Sequence, residues 1–373
     1  MLQKIFEPIS SRLNFTSSES RQRRDFFLVF EDWSDAINKK LEFEFSHYWN
    51  KEKNKFYIEE SMYTLDTKTI NKNFRDPIKD FVLRGGKRIR PILFFAVLDN
   101  LKKNPLDFLE IAIALELAHN GTLVLDDIED GAEKRRGKPT THIKYGLDTA
   151  VNMGAGLHIV PIRYLLHNNL SNKIQNRLMK IYSDELINVT FGQTLDIYWH
   201  KEGVDEVRVS KYLEMVRLKT GSLMRMSTRL ACAVANTDEK TEKVFSEYAE
   251  NLGMAFQIID DCLDLDPPDE RFGKAFGNDI TEGKISLPVT YTLKNANEDD
   301  RNRLVEILFM HTKNQKYIME AISIIKKYKS ISKSRKFARK ILTNALIDLK
   351  KKYKKNDLQR IEELSHFIVE RKF

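Results

Sequence analysis

Apolar positions recur along most of this chain at helical spacing. Leu178, Ile181, Tyr182, Leu186 and Val189 follow one another at steps that line one helix face. Punctuation is sparse. None of the nine prolines lies between Pro161 and Pro267, and the only glycines in that interval are Gly192, Gly203, Gly221 and Gly253. Strands and their turns need such residues more often. The spacing predicts long helices over about 108–130, 149–169, 172–200, 208–235 and 239–265. Shorter ones are expected near 286–296, 299–312, 315–328, 333–352 and 356–371. Asp148-Thr149 and Thr237-Asp238 are the expected N-caps. No Pro/Gly/Ser linker divides the chain. The expectation is an all-α bundle, with residues 1–75 a helical extension ahead of one domain over 76–373.

Composition narrows this little. The chain has 373 residues, 42% of them hydrophobic and 31% charged, an ordinary globular balance. No run approaches the roughly 18 apolar residues of a membrane-spanning helix, and the N-terminus has no signal-peptide core. Cys232 and Cys262 fit neither a disulfide framework nor a metal-ligand spacing, which suggests a reducing, cytoplasmic setting. The net charge of +8 suggests polyanionic partners: phosphorylated small molecules, anionic lipid or nucleic acid. Much of the surplus lies in the Lys-rich C-terminal third, where a solvated helix face accounts for it.

Two acidic runs carry the chemistry. Asp126-Asp127-Ile128-Glu129-Asp130 and Asp260-Asp261-Cys262-Leu263-Asp264 share the spacing DDxxD. On a helix the first and last carboxylates of each stand on one face, a turn apart. Such pairs of hard oxygens suit Mg²⁺, which keeps several waters and shares its other positions with phosphates. Each run ends an apolar stretch, where unscreened carboxylates would repel one another unless a cation is present. One such run could be an exposed acidic helix end; two copies in the same context argue against that.

Basic segments complement them. Arg84-Gly85-Gly86-Lys87-Arg88-Ile89-Arg90-Pro91 is a glycine-opened cationic turn leading into an apolar helix. Positive charge there runs against the helix dipole, so it calls for an anion. Arg135-Arg136-Gly137-Lys138-Pro139 follows the first acidic run. Lys219-Thr220-Gly221 interrupts a helical pattern, and Lys274 and Lys284 sit beside glycines. Each of these is weak alone. His119, two turns before Asp126, reads either as a core histidine or as a diphosphate contact. There is no GxxxxGK[ST], strand-linked GxGxxG or HExxH run.

Taken in order, GGKRIRP, ELAHNGTLVLDDIED, RRGKPT, FGQTLD, KTG, FQIIDDCLD and GNDITEGKISLP resemble the motifs of the trans-isoprenyl diphosphate synthases, over about residues 80–296. The resemblance implies the isoprenoid synthase fold, a large helical bundle around a central cavity, usually as a homodimer. It implies Mg²⁺-dependent (or Mn²⁺-dependent) condensation of isopentenyl diphosphate with an allylic diphosphate. Asp126, Asp130 and Asp260 resemble ligands of a three-metal cluster. Asp127, Asp261 and Asp264 would support it, Asp264 also counting as a ligand. Lys87, Arg90, His119 and Arg136 resemble the isopentenyl diphosphate site. Arg135, Lys219 and Lys274 resemble the allylic diphosphate clamp, with Lys284 further out. Thr220 and Gln257 resemble the groups facing the developing carbocation. Many relatives carry histidine where this chain has Leu125.

The resemblance also implies that the product grows along the helix before Asp126. Gly121 and Thr122, one turn below the metals, and Ala118 a turn further are all small. That leaves room for twenty carbons or more, with Met153, Leu157 and Val160 as candidates to close the floor. Two enzyme-fold alternatives remain. A class I terpene cyclase usually lacks a second DDxxD, and a non-catalytic subunit of a heteromeric synthase usually loses aspartates or the cationic turn. Nucleic-acid binding would rest on charge alone. Peripheral membrane contact for product release is an additional expectation.

Overall fold

The computed structural model describes residues 18–47, 66–166, 168–201, 208–266, 277–353 and 358–370. Among these, the only strands are two of two residues each. The chain divides into two compact units. One comprises residues 1–179 with 233–236, the other 180–232 with 237–373.

In the first unit, α1 (Ser18–His47) buries Phe30, Trp33, Ile37, Leu41 and Phe45, a 3–4-spaced stripe. Next come α2 (Thr67–Ile70), a π turn (Asn71–Arg75), α3 (Asp76–Val82) and α4 (Ile89–Asn100). A 3₁₀ turn over Pro105–Phe108 opens α5 (Leu109–Glu129). α5 is apolar almost all round, so it is the core helix, with α1 and α4 packed on it. Among the described residues, Pro105–Glu129 is long and apolar enough to cross a membrane by length and composition, but 61% of its most apolar window is buried in the fold, as for a core helix. The hairpin β1 (Lys134–Arg135) and β2 (Lys138–Pro139) follows, then α6 (Thr141–Tyr145), α7 (Leu147–Ile159) and α8 (Pro161–Leu166). The expected single helix over 149–169 is thus broken at Pro161, which lacks the N–H that would continue it. Asp148 is not its cap either. Gly146, at φ +91°, stands at the N-cap and Asp148 lies in the first turn.

α9 (Asn172–Lys201) runs from the first unit into the second. There α10 (Val209–Val216), a π turn (Arg217–Gly221) and α11 (Ser222–Val234) form one interrupted helix where 208–235 was expected. α12 (Glu239–Leu265) matches its expectation. Asp238 caps it, its carboxylate accepting from Thr241 N at 2.8 Å. α13 (Asn278–Glu282), α14 (Leu287–Asn295), α15 (Glu298–Phe309), α16 (Gln315–Lys327), α17 (Ser330–Lys352) and α18 (Gln359–Glu370) complete the unit. α17 packs along α12, and α18 docks through Tyr248, whose hydroxyl meets Ser365 Oγ at 2.6 Å.

Candidate active site

Both acidic runs occupy the last turn of a long helix, α5 and α12. Carboxylates there oppose the helix dipole, so each run has to find compensation.

At the end of α5 an arginine supplies it. Arg135 Nε donates to Asp127 Oδ1 at 2.7 Å, and Nη2 lies 2.6 Å from Asp127 Oδ1 and 3.5 Å from Asp126 Oδ2. Asp127 is fully buried and its Oδ2 has no hydrogen-bond partner. Burial raises its pKa, and the Arg135 charge only partly offsets this. Asp126 and Asp130 are half-buried.

Arg135 is delivered by the β1–β2 hairpin. The two connecting residues, Arg136 and Gly137, have φ +54° and +73°, the left-handed pair a tight hairpin requires. Arg136 turns back over the Phe81 ring, and its Nη1 lies 3.4 Å from both Phe81 O and Asn120 Oδ1. Its guanidinium lies against Gly86, where a Cβ would sit 3.1 Å from Nη2, and the φ of +148° there favours glycine. Arg84 locks the two segments together, with Nη1 donating to Pro139 O at 2.8 Å and Nη2 to Asp80 Oδ2 at 2.6 Å. Asp80 also accepts from Lys144 and Tyr145.

These contacts gather the predicted cations beside α5. His119 is held well below the usual imidazole range by burial and by the charges of Arg90, Arg136, Arg135 and Arg88, so it is neutral. Lys87 and Arg90 are half-buried in the same turn. Ala118 is fully buried, and the Thr122 hydroxyl donates to His119 O at 2.8 Å. The space beside Gly121 is already occupied: a Cβ there would lie 3.0 Å from both Leu157 Cβ and His158 Cδ2 of α7. Of the expected floor residues, Met153 and Leu157 are fully buried and Val160 is half-buried; the sequence pattern does not single out His158. Leu125 packs against Gly154, whose missing Cβ makes room for it.

The end of α12 is compensated differently, by a relay of neutral groups together with the charge of Lys284. The Thr220 hydroxyl donates to Gln257 Oε1 at 2.9 Å, and Gln257 Nε2 donates to Asp261 Oδ1 at 2.9 Å. The buried Tyr212 hydroxyl donates to Asp261 Oδ2 at 2.6 Å. Burial pushes the Asp261 carboxyl up to about 6 despite these bonds, with the Asp260 charge adding to the rise. Asp264 accepts from the backbone N–H groups of Asn278 (3.2 Å) and Asp279 (2.9 Å) where α13 begins. Lys284 pairs with Glu282, and its charge acts on Asp261, Asp264 and Asp279.

The π turn that carries Lys219 and Thr220 is wedged between two glycines. A Cβ on Gly192 of α9 would lie 2.2 Å from Lys219 N, and one on Gly253 of α12 would lie 2.9 Å from Gly221 Cα. This close approach sets Lys219 Nζ 2.5 Å from Asp196 Oδ2. Asp196 and Tyr212 received no role from the sequence. Asp196 closes the FGQTLD run, and Tyr212 lies seven residues, two helical turns, before Lys219. Lys274 lies outside the described residues. Among those described, no three Asp, Glu, His or Cys side chains already enclose an ion. Paired hard carboxylates at two helix C-termini nonetheless fit divalent cations whose other positions go to water and phosphate oxygens.

Comparison with known proteins places this arrangement. The polyprenyl synthetase family model matches residues 71–325. A short chain isoprenyl diphosphate synthase of Methanocaldococcus jannaschii is 38% identical over 66% of this chain and 75% of its own length. A geranylgeranyl diphosphate synthase of Sulfolobus acidocaldarius is 30% identical over 77% of this chain and 88% of its own. The crystal structure of geranylgeranyl pyrophosphate synthetase from Pyrococcus horikoshii superposes with a TM-score of 0.79 at 28% identity, covering 93% of this chain and 99% of that one.

Proposed function

The chain belongs to the polyprenyl synthetase family of trans-prenyltransferases, and from that premise we propose that it joins isopentenyl diphosphate to an allylic diphosphate in a 1′–4 condensation yielding a trans-polyprenyl diphosphate. The observation that carries this reading is the cationic cluster of Arg90, Arg135, Arg136 and neutral His119 beside a DDxxD run. A metal-dependent diphosphate site and a purely cationic one then adjoin, as a reaction of two diphosphates needs.

Asp126, Asp130, Asp260 and Asp264 are the carboxylates that would hold Mg²⁺ (three ions by the family resemblance). Held by these carboxylates, Mg²⁺ would supply positive charge to neutralise the leaving diphosphate. By the family resemblance alone, Arg135, Lys219, Lys274 and, further out, Lys284 would each bind the allylic diphosphate, and Lys87, Arg90, His119 and Arg136 that of isopentenyl diphosphate. Held in line, the allylic C–O bond breaks and the isopentenyl double bond attacks the allylic cation. The Thr220 hydroxyl oxygen and the Gln257 amide face that cation. A proton leaves the adduct for the released diphosphate, and a new double bond forms.

Product length follows from the floor. Gly121, Thr122 and Ala118 are small, but Leu157 and His158 close in behind Gly121. We assign a product of about twenty carbons or longer, geranylgeranyl diphosphate first, in keeping with the names of the relatives. A second copy of the chain is the proposed partner. Exposed Leu147, Val151 and Ile159 line one edge of α7, and exposed Ile187, Phe191 and Tyr198 one edge of α9, apolar stripes suited to a homodimer interface. The two buried cysteines, neither in a disulfide, accord with a reducing cytoplasm. The test is incubation with Mg²⁺, isopentenyl diphosphate and each allylic primer in turn, then sizing of the products; no elongation from any primer would refute the reading. Light scattering gives the oligomeric state.

A further inference from the structure

Arg88 lies between the two cations assigned to the isopentenyl diphosphate site, Lys87 and Arg90, yet points away from solvent. It is 3% exposed and takes a left-handed backbone, φ +48°, just before α4. A large side chain tolerates that conformation only where its surroundings dictate it. Three acceptors do so here. Arg88 Nε donates to Asn38 Oδ1 of α1 at 3.1 Å, Nη1 to Glu116 Oε1 of α5 at 2.5 Å, and Nη2 to Val82 O at 2.8 Å. Glu116 is as deeply buried, and its Oε1 also accepts from Asn120 Nδ2 at 2.9 Å. Asn120 is fully buried, and its other amide atom, Oδ1, faces Arg136 Nη1 at 3.4 Å. A continuous polar chain therefore runs Asn38–Arg88–Glu116–Asn120–Arg136 through an otherwise apolar core.

A buried ion pair adds little net stability over an apolar replacement, so its retention asks for another reason. The far end of the chain supplies one. Arg136 is half-buried among Arg84, Arg88 and Arg135, which together with burial pull its pKa down to about 10; Glu116 is the carboxylate that opposes this. Among the described residues, its guanidinium's hydrogen bonds are long, 3.4 Å to each of Phe81 O and Asn120 Oδ1.

We propose that Arg88, Glu116 and Asn120 are positioning residues that fix the Arg136 guanidinium for the isopentenyl diphosphate, and that Asn38 makes the N-terminal helix α1 a working part of that site. The inference rests on the assignment of Arg136 made above. It predicts a selective kinetic defect. Asn120→Leu keeps the volume but removes the amide, and should raise the KM for isopentenyl diphosphate about tenfold, with the allylic KM and kcat within about twofold. Asn38→Leu, at the partly exposed end, should raise the same KM about threefold. Glu116→Gln should resemble Asn120→Leu if it folds; because it strands the Arg88 charge, the two asparagine variants decide the matter. A merely structural role would lower the thermal midpoint and the active fraction while leaving both KM values of the surviving enzyme unchanged. Arg136→Gln separates the two levels of argument. If it leaves the isopentenyl KM unaltered, the site assignment fails and the relay with it. If it raises that KM while Asn120→Leu and Asn38→Leu do not, or if they raise both KM values equally, the relay alone is overturned.

Discussion

The acidic run at the end of α5 meets a guanidinium; the one at the end of α12 meets a phenol, an amide and two backbone N–H groups. Spacing and helix position are the same, but the compensation differs in kind. Arg135 brings a full charge, so part of the repulsion within the first run is cancelled by the protein itself. Tyr212 and Gln257 bring hydrogen bonds to Asp261 and Lys284 adds its charge, yet burial outweighs them and leaves the Asp261 carboxyl ready to bind a proton. One motif thus yields a run whose second carboxylate is held by an arginine and another whose second carboxylate is held by a phenol and an amide.

Four substitutions break or sharpen that contrast. The largest effect is expected from Asp260→Ala, which removes a proposed metal ligand from the second run. Turnover should fall by about a thousandfold with little loss of thermal stability, and product assays with denaturation curves check both. Arg135→Gln should cut kcat/KM for the allylic substrate by about a hundredfold, since the buried Asp127 then loses its charged partner and takes up a proton. The KM for isopentenyl diphosphate should stay near its normal value.

Asp261→Asn tests the proton at the other run. The Asp261 carboxyl moves from 3.8 to about 6 in the fold, so the folded chain binds this proton more tightly than the unfolded one. Below about pH 4 the group costs nothing; as pH climbs through about 6 it removes up to about 3 kcal/mol from the metal-free protein. The Asp261→Asn variant should accordingly be more stable than its parent at about pH 7.5 and no more stable at about pH 4, as urea midpoints at the two pH values would reveal. The relay can accommodate the change by an amide flip of Gln257, with Thr220 turning its hydroxyl lone pairs inward. Tyr212→Phe should have the smallest effect, about 1 kcal/mol. It should appear as a rise of about fivefold in half-saturating Mg²⁺, and in a smaller Mg²⁺-induced thermal shift of the substrate-free protein.

What the sequence discloses follows the range of the forces involved. α12 is legible nearly to the residue, because its period and its Asp238 cap are both local. The break at Pro161 is equally local, since the residue before a proline disfavours helix, but the apolar period runs on through it and hides it. The stripe of α1 is present at Phe30, Trp33, Ile37, Leu41 and Phe45, but its partners α4 and α5 lie many residues downstream. The acidic runs and cationic turns are legible as motifs. Their compensation is not, because Tyr212 and Asp261 are 49 residues apart and Lys219 and Asp196 are 23. The hairpin is also invisible to pattern, since arginine at its first left-handed position is not a residue a turn selects by itself.

The π turn at Arg217–Gly221 is, in effect, one residue too many in a helix. Deleting a single residue there would let the backbone return to ordinary 3.6-residue winding, a change that helix energetics would welcome. The bulge absorbs that residue locally, so the helices on either side would keep their faces and their packing, and only the residues inside the turn would be re-aimed. Lys219 and Thr220 are among those, and they could not both keep their bearings on Asp196 and Gln257. A single-residue deletion there would therefore leave the helix sound while dissolving the contacts that the turn was wound to make.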